Sequence, residues 1–313
     1  MNLEEGAQRG IFFGIPVLFC FTMFHFIVEK VFVLWYDRIN QVCSHRLWAS
    51  TKFTTEKAMG KIIAFSNQKG GVGKTTTAIN LAAYVALAGK KVLIVDFDPQ
   101  GNATSGYGVE KNRLESTSYD VLMGDSEAQE VILPTMIENL WIMPSNSDLA
   151  GAEVDLVAAH ARESALKRAL APIKDSYDYI FIDCPPSLGL LTLNALVASD
   201  SVLIPIQSEF FALEGVTQLM YTINIVKQRL NPQLTINGVV LTMYDMRTVL
   251  SKQVTSEIYK YFSDKIYTVP VPRNIKLVES PSFGVPIAIH APRSNGALAY
   301  QALAKQFIGR EEK

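Results

Sequence analysis

Lys61-Ile62-Ile63-Ala64-Phe65-Ser66-Asn67-Gln68-Lys69-Gly70-Gly71-Val72-Gly73-Lys74-Thr75-Thr76-Thr77-Ala78-Ile79-Asn80 reads as a strand, a glycine loop and the opening of a helix. That order is the context a phosphate-binding loop requires. Glycines at 70, 71 and 73 admit backbone dihedrals closed to other residues, so successive N–H groups can point at an anion above the positive end of a helix. Gly70, Gly71, Val72, Gly73, Lys74, Thr75 and Thr76 then form the cradle, for which ATP and Mg²⁺ are the expected cofactors. Lys74 would neutralise the β- and γ-phosphates and the Thr75 hydroxyl would ligate Mg²⁺. The usual pattern has glycine where this chain has Gln68, and an extra lysine, Lys69, stands just outside the cradle. From there it could reach a phosphate held by another subunit, making nucleotide binding and dimerisation one event.

Two more segments fall where such a site needs them. Val92-Leu93-Ile94-Val95-Asp96-Phe97-Asp98-Pro99-Gln100-Gly101-Asn102 reads as a second parallel strand that brings Asp96 and Asp98 to the carboxyl edge of a sheet, where open α/β folds bind ligands. Alternation puts the two carboxylates on one side and Phe97 on the other. Tyr179-Ile180-Phe181-Ile182-Asp183-Cys184-Pro185-Pro186 is a buried strand ending in one acid, suited to hold Mg²⁺ through its water shell. The fold class predicted is α/β, of the P-loop NTPase type: a mostly parallel twisted sheet with helices on both faces. Ser201–Ile206, Ile236–Met243 and Tyr267–Val269 are expected as further strands, and Ala212–Arg229 and Ser294–Ile308 as helices. Gln100–Tyr119 is expected as a loop close enough to Asp98 to respond to the γ-phosphate.

KGGVGKTT from Lys69, VDFDPQGN from Val95, IDCPP from Ile182, Leu241-Thr242-Met243-Tyr244-Asp245-Met246-Arg247-Thr248, and Pro272-Arg273-Asn274-Ile275-Lys276-Leu277 with Glu279, Pro281 and Gly284 occur in one order. The combination resembles the ParA/Soj partition ATPases, which carry a deviant Walker A motif, over residues 59–313. The resemblance implies that Lys69 is the signature lysine reaching across an ATP sandwich dimer, and that Gly70 lies where the subunits meet too closely for a side chain. It implies Asp98 as the acid needed for hydrolysis, Asp96 near the metal and Asp183 as the acid that holds the metal through its water shell. Arg247 matches a residue that members use to grip DNA without sequence preference. Lys276 stands where several members have arginine, which keeps the charge and loses the bidentate fork. The implied partners are a second copy of the chain, nonspecific DNA and a ParB-like centromere-binding protein that stimulates slow hydrolysis.

Composition adds a constraint. The chain holds 29 Lys and Arg against 30 Asp and Glu; residues 1–58 carry 6 and 5 of these, leaving 23 against 25 from residue 59 on. Any DNA contact must therefore be a local patch, with Arg247, Lys252, Lys260, Lys265, Arg273, Lys276 and Arg293 as its candidates. Only Cys184 of three cysteines lies in this region, so neither a disulfide framework nor a paired-cysteine cluster can be built there. Cys184 reads as a small buried strand-end residue.

Residues 1–58 are a hydrophobic extension of different character. Ile11–Ile27 is 17 residues without Asp, Glu, Lys or Arg, and apolar residues resume from Val31 to Tyr36. Three readings stand: sequence upstream of a natural start at Met59, a membrane tether through residues 11–36, or a hydrophobic partner-binding arm. A span needs about 20 apolar residues, and the segment has no clear signal-peptide cleavage site. The location expected for residues 59–313 is cytoplasmic and nucleoid-associated, with membrane association through 11–36 not favoured. The alternative function is a MinD-like membrane-positioning ATPase; against it, the C-terminal segment ends in mixed charges with little apolar face for a bilayer. A small-molecule ligase or kinase would need a second substrate pocket, for which no motif stands out.

Overall fold

The computed structural model describes residues 59–209, 212–245 and 247–312; the extension over 1–58 and its three readings lie outside these residues. Seven strands form one sheet in the order β3-β4-β2-β5-β1-β6-β7. They are β1 (Lys61–Phe65), β2 (Val92–Asp96), β3 (Leu133–Pro134), β4 (Leu140–Met143), β5 (Tyr179–Asp183), β6 (Ser201–Gln207) and β7 (Thr235–Thr242). All pairs are parallel except the short β3 against β4. The expected α/β class is the one observed, and β3–β4 extends the sheet beyond the strands predicted.

The central strands are buried on both faces, and for that reason they read as unbroken apolar runs. Alternate residues nevertheless go to separate cores. Ile63, Phe65, Ile94 and Phe181 pack on one face, and Ile62, Ala64, Leu93, Val95, Phe97 and Ile182 on the other. The first face is covered by α1 (Lys74–Leu87) and, at the chain's end, α12 (Asn295–Glu311). Within α12, Ala297, Tyr300, Leu303, Ala304 and Phe307 are buried, the spacing of one helix face. Phe307 meets the rings of Tyr179 at 5.1 Å and Phe181 at 5.4 Å. On the second face, α7 (Leu190–Ala198), α8 (Ala212–Arg229) and α9 (Val249–Phe262) supply the cover.

Two expectations need correction. Tyr267–Val269 is not a strand: Tyr267 N–H donates to the Val239 carbonyl at 2.9 Å and Val271 N–H to that of Leu241 at 2.8 Å, but the chain loops out between them. Those two donors stand four positions apart in the chain against two for their acceptors, so the extra residues break the register. The stretch 100–119 is also more ordered than a loop. It contains α2 (Asn102–Gly106), a 3₁₀ turn at Lys111–Arg113, and the start of α3 (Ser118–Met123), whose N-terminus is closed by a Thr117/Asp120 capping box. Between α3 and β5 lie α4 (Ala128–Val131), α5 (Ala152–Asp155) and α6 (Ala165–Leu170). After α9, the short α10 (Ile275–Glu279) and α11 (Ile287–His290) lead into α12.

Candidate nucleotide site

Parallel pairing brings the carboxyl ends of three strands together. Phe65 of β1 and Asp96 of β2 both stand in register with Asp183 of β5. The chain leaves β1 through Ser66–Gly73 and enters α1 at Lys74, so the loop curls over this edge. Gly71 and Gly73 have φ of +74° and +83°, the left-handed region in which a side chain is strained. The loop is pinned by the Thr242 hydroxyl at the end of β7, which donates to the Val72 carbonyl at 2.7 Å. From below, Thr77 Oγ1 donates to the Gly73 carbonyl at 2.7 Å and lies 3.1 Å from the Tyr300 hydroxyl.

A cavity of about 540 Å³ opens above the loop, lined by Gly70, Gly71, Gly73, Lys74, Thr75 and Thr76 from the cradle, with Asp98, Gln100, Asn102, Pro186 and the segment Val271–Asn274 around its rim. A larger cleft of about 610 Å³ lies at the amino ends of the strands. It has no glycine loop, and its Lys61–Glu311 and Lys174–Asp200 ion pairs satisfy each other at 2.7 and 2.9 Å. The smaller cavity is the one with unmet chemistry.

That chemistry centres on Asp183. The residue is completely buried, and neither carboxylate oxygen has a hydrogen-bond partner of ordinary geometry. Burial raises its pKa well above the usual carboxylate value, and the Asp96 charge raises it further; the nearby Thr75 hydroxyl and Lys74 ammonium offset part of this. Lys74 is itself only 6% exposed, and loss of hydration lowers its pKa against the opposing pull of Asp183, Cys184 and Asp98. A buried carboxylate without donors is costly, and a divalent cation is the partner that would satisfy it. Among the described residues no group of three or more His, Cys, Asp and Glu could hold a metal by itself. A hard cation here would take its remaining oxygens from Thr75, a nucleotide and water. The residues present fit Mg²⁺ bound with a nucleotide.

Asp96 is differently placed. Its Oδ2 accepts from the Thr104 backbone N–H and hydroxyl, both at 2.7 Å, and its Oδ1 from the Asp98 N–H at 3.3 Å. Burial pushes its pKa up to about 6 even so. Asp96 thus commits its own oxygens to anchoring α2, whereas Asp183 leaves its oxygens open. Asp98 reaches the cavity wall, and its Oδ1 accepts from Gln100 N–H at 2.9 Å. Val72 packs its side chain inward and joins the cradle through its backbone alone. Cys184 is buried and burial pushes its thiol up, as befits an inert strand-end residue.

Of the sequence-predicted residues, Val72, Asp96 and Asp183 are buried and do not line the cavity, and Lys69, Arg247 and Lys276 lie away from it. Lys69 does not line it; its Nζ pairs with Glu209 Oε2 at 3.0 Å, and Glu209 also accepts from the Gln207 amide. A Cβ on Gly70 would meet open space within the subunit. Arg247 and Lys276 are both exposed, and each is paired on its own chain, with Asp245 and Glu279, both at 2.8 Å. Sequence reasoning missed Thr104, Glu209 and Asp245 as partners. The Lys276/Glu279 pair alone had a readable signal, the helical i,i+3 spacing.

A family profile described as an AAA domain matches residues 60–236. The chain is 57% identical over 248 residues to the sporulation initiation inhibitor protein Soj of Bacillus subtilis, covering 79% of this chain and 98% of that one. It is 52% identical over 253 residues to the chromosome partitioning protein ParA of Myxococcus xanthus, covering 81% and 89%. Among solved structures, one described as cobyrinic acid a,c-diamide synthase from Mycobacterium smegmatis with bound ADP and magnesium superposes with a TM-score of 0.72 at 38% identity, covering 82% of this chain and 96% of that one. With its glycine loop, orphaned acid and close relatives together, this chain belongs to the Soj/ParA family of chromosome-partitioning ATPases.

Proposed function

We propose that this partitioning ATPase is a nucleotide-driven switch, dimeric and bound to nonspecific DNA in its ATP state and released by hydrolysis. The observation that carries the nucleotide half is Asp183, wholly buried with neither oxygen in an ordinary hydrogen bond, close to the Lys74 and Thr75 that line the glycine cradle. The backbone N–H groups of Gly70–Thr76 and the Lys74 ammonium would hold the phosphates, at the N-terminus of α1. Thr75 would hold Mg²⁺ directly and Asp183 through its water shell. Once bound, Mg²⁺ supplies neutralisation of the charge that develops on the transferring phosphoryl group. Asp98, on the cavity wall, would orient the attacking water.

Two features support the dimer. Lys69 stands outside its own cavity on a flexible side chain held only by a partly exposed ion pair, so it can be redeployed at small cost. Gly70 is glycine although nothing in its own subunit crowds the position, which fits a close approach from outside. DNA contact by Arg247 and Lys276, slow intrinsic turnover, a ParB-like stimulating partner and a cytoplasmic, nucleoid-associated location complete the reading, as the motif resemblance to partition ATPases implies. The MinD-like alternative is less well supported, because α12 commits its apolar face to the core. No helix among the described residues is long and apolar enough to cross a membrane.

Sedimentation of the Asp98→Ala variant with ATP, with ADP and without nucleotide tests the switch. A mass that doubles only with ATP is expected, while the same mass in all three conditions would overturn the proposal.

A further inference from the structure

We propose that Asp245 is an affinity-setting residue that weakens the DNA grip of Arg247 by occupying its guanidinium fork. This rests on the DNA-binding reading of Arg247 above and adds to it the acid that governs its strength. Arg247 Nε donates to Asp245 Oδ1 at 2.9 Å and Nη2 donates to Oδ2 at 2.8 Å, a two-bond, fork-to-fork contact. The backbone N–H of Arg247 also donates to Oδ1 at 3.0 Å, so the carboxylate is seated by a local turn as well as by charge. The Arg247 side chain is 89% exposed and that of Asp245 34%.

The fork that Asp245 fills is the edge a phosphate would take in a bidentate contact. A phosphate must therefore displace the carboxylate or sit end-on beside it, and either way the negative charge stays within the contact. The acid cannot easily retreat. Tyr244 N–H donates to the Val271 carbonyl at 3.0 Å, and the Asp245 carbonyl accepts from Thr248 N–H and Oγ1 at 3.4 and 3.3 Å, while Thr248 caps α9 through Ser251 N–H. Arg247, and more weakly Arg273, hold the Asp245 carboxyl down at about 2, so it is ionised throughout the physiological range. The consequence is a cation that binds DNA with little net gain in positive charge.

Counterion release makes this measurable. Each phosphate neutralised by a lysine or arginine contributes about 0.9 to the slope of log K against log salt. A carboxylate left beside the phosphate draws cations back and cancels most of that contribution. Asp245→Asn keeps the oxygen that accepts the Arg247 N–H and removes the charge. In a two-subunit complex it should steepen the slope by about one to two units and tighten binding roughly tenfold at ~0.1 M salt.

The experiment is a salt titration of the full chain, ATP-loaded, on a nonspecific DNA duplex. It compares wild type, Asp245→Asn, Arg247→Ala and the double variant, with Asp175→Asn as a control for one lost charge elsewhere. Thermal melting checks that each variant is folded. A steeper slope and tighter binding for Asp245→Asn that disappear in the Arg247→Ala background are expected. If wild type binds and Asp245→Asn matches it or Asp175→Asn, or if the gain survives without Arg247, the proposal is overturned and the DNA-binding reading stands. If neither wild type nor Asp245→Asn binds DNA, the DNA-binding reading fails and the proposal with it.

Discussion

The nucleotide cavity and the exposed Arg247–Lys276 surface manage charge in opposite ways. Inside, Asp183 is wholly buried with both oxygens unpartnered, and Lys74 is nearly buried with its charged form disfavoured. Outside, Arg247 and Lys276 are exposed and each is already paired with an acid on its own chain. The interior site is unfinished and gains from any ligand that brings phosphate and a divalent cation. The exterior surface is finished and must give up a contact to gain one. A switch needs both properties: a nucleotide held firmly enough to define a state, and a DNA contact weak enough to be released.

The sharpest way to break this contrast is to remove the interior cation. Lys74→Ala leaves the phosphates, Asp98 and Asp183 without their counter-charge, a loss of about 3–5 kcal/mol for a broken buried pair. ATP affinity measured by calorimetry should fall at least a hundredfold, and near-normal affinity would show that the cradle does not bind phosphate. Asp98→Ala should spare ATP affinity and lower turnover roughly a hundredfold, the scale of a lost water-positioning or proton-accepting group. Unchanged turnover would remove Asp98 from hydrolysis.

Ionisation sharpens the same contrast. Asp96 has a folded-state pKa of about 6 against about 3.9 when unfolded. The folded state therefore holds a proton that the unfolded state has lost, and stability falls as pH rises from about 4 through 6. Chemical denaturation of wild type and Asp96→Asn across that window should show wild type losing on the order of 2 kcal/mol relative to the variant. Parallel pH profiles would mean that Asp96 is already ionised in the fold. The smallest effect belongs to the exterior: Arg247→Glu should weaken DNA binding severalfold and flatten its salt slope by well under the ~0.9 per subunit of an uncompensated cation, because Asp245 already offsets most of it, without changing ATP-dependent mass. Equal DNA affinity would return Arg247 to ordinary surface.

The same contrast governs what could be read from sequence. That Gly70–Thr76 and the acids Asp96, Asp98 and Asp183 meet at one sheet edge was legible, because a glycine loop after one strand and acids closing two parallel strands all fall at the strands' carboxyl ends. β1, β2, β5 and β6 were legible because double-faced burial leaves apolar runs, and β7 through its buried Val239–Leu241 stretch. β3 escaped because Leu133–Pro134 is two residues long with a proline, and β4 because Leu140–Met143 is too short to tell from a helical segment. The capping box at Thr117 and Asp120 was there to be read, and would have shown that 100–119 ends in a helix. The hold of Thr104 on Asp96, and of Glu209 on Lys69, joins residues whose side chains meet only after folding. Asp245 lies two residues from Arg247, yet adjacency in sequence does not say that a carboxylate fills a guanidinium fork. Surface pairing is decided by turns and rotamers, which leave little trace in residue order.

Filling the unfinished interior is expected to release the finished exterior for DNA. The most direct test is binding of the protein to nonspecific duplex DNA with ATP, with ADP and without nucleotide, each across a salt series. Binding that requires ATP and weakens steeply with salt is expected. Equal binding in all three states, or none in any, would contradict it.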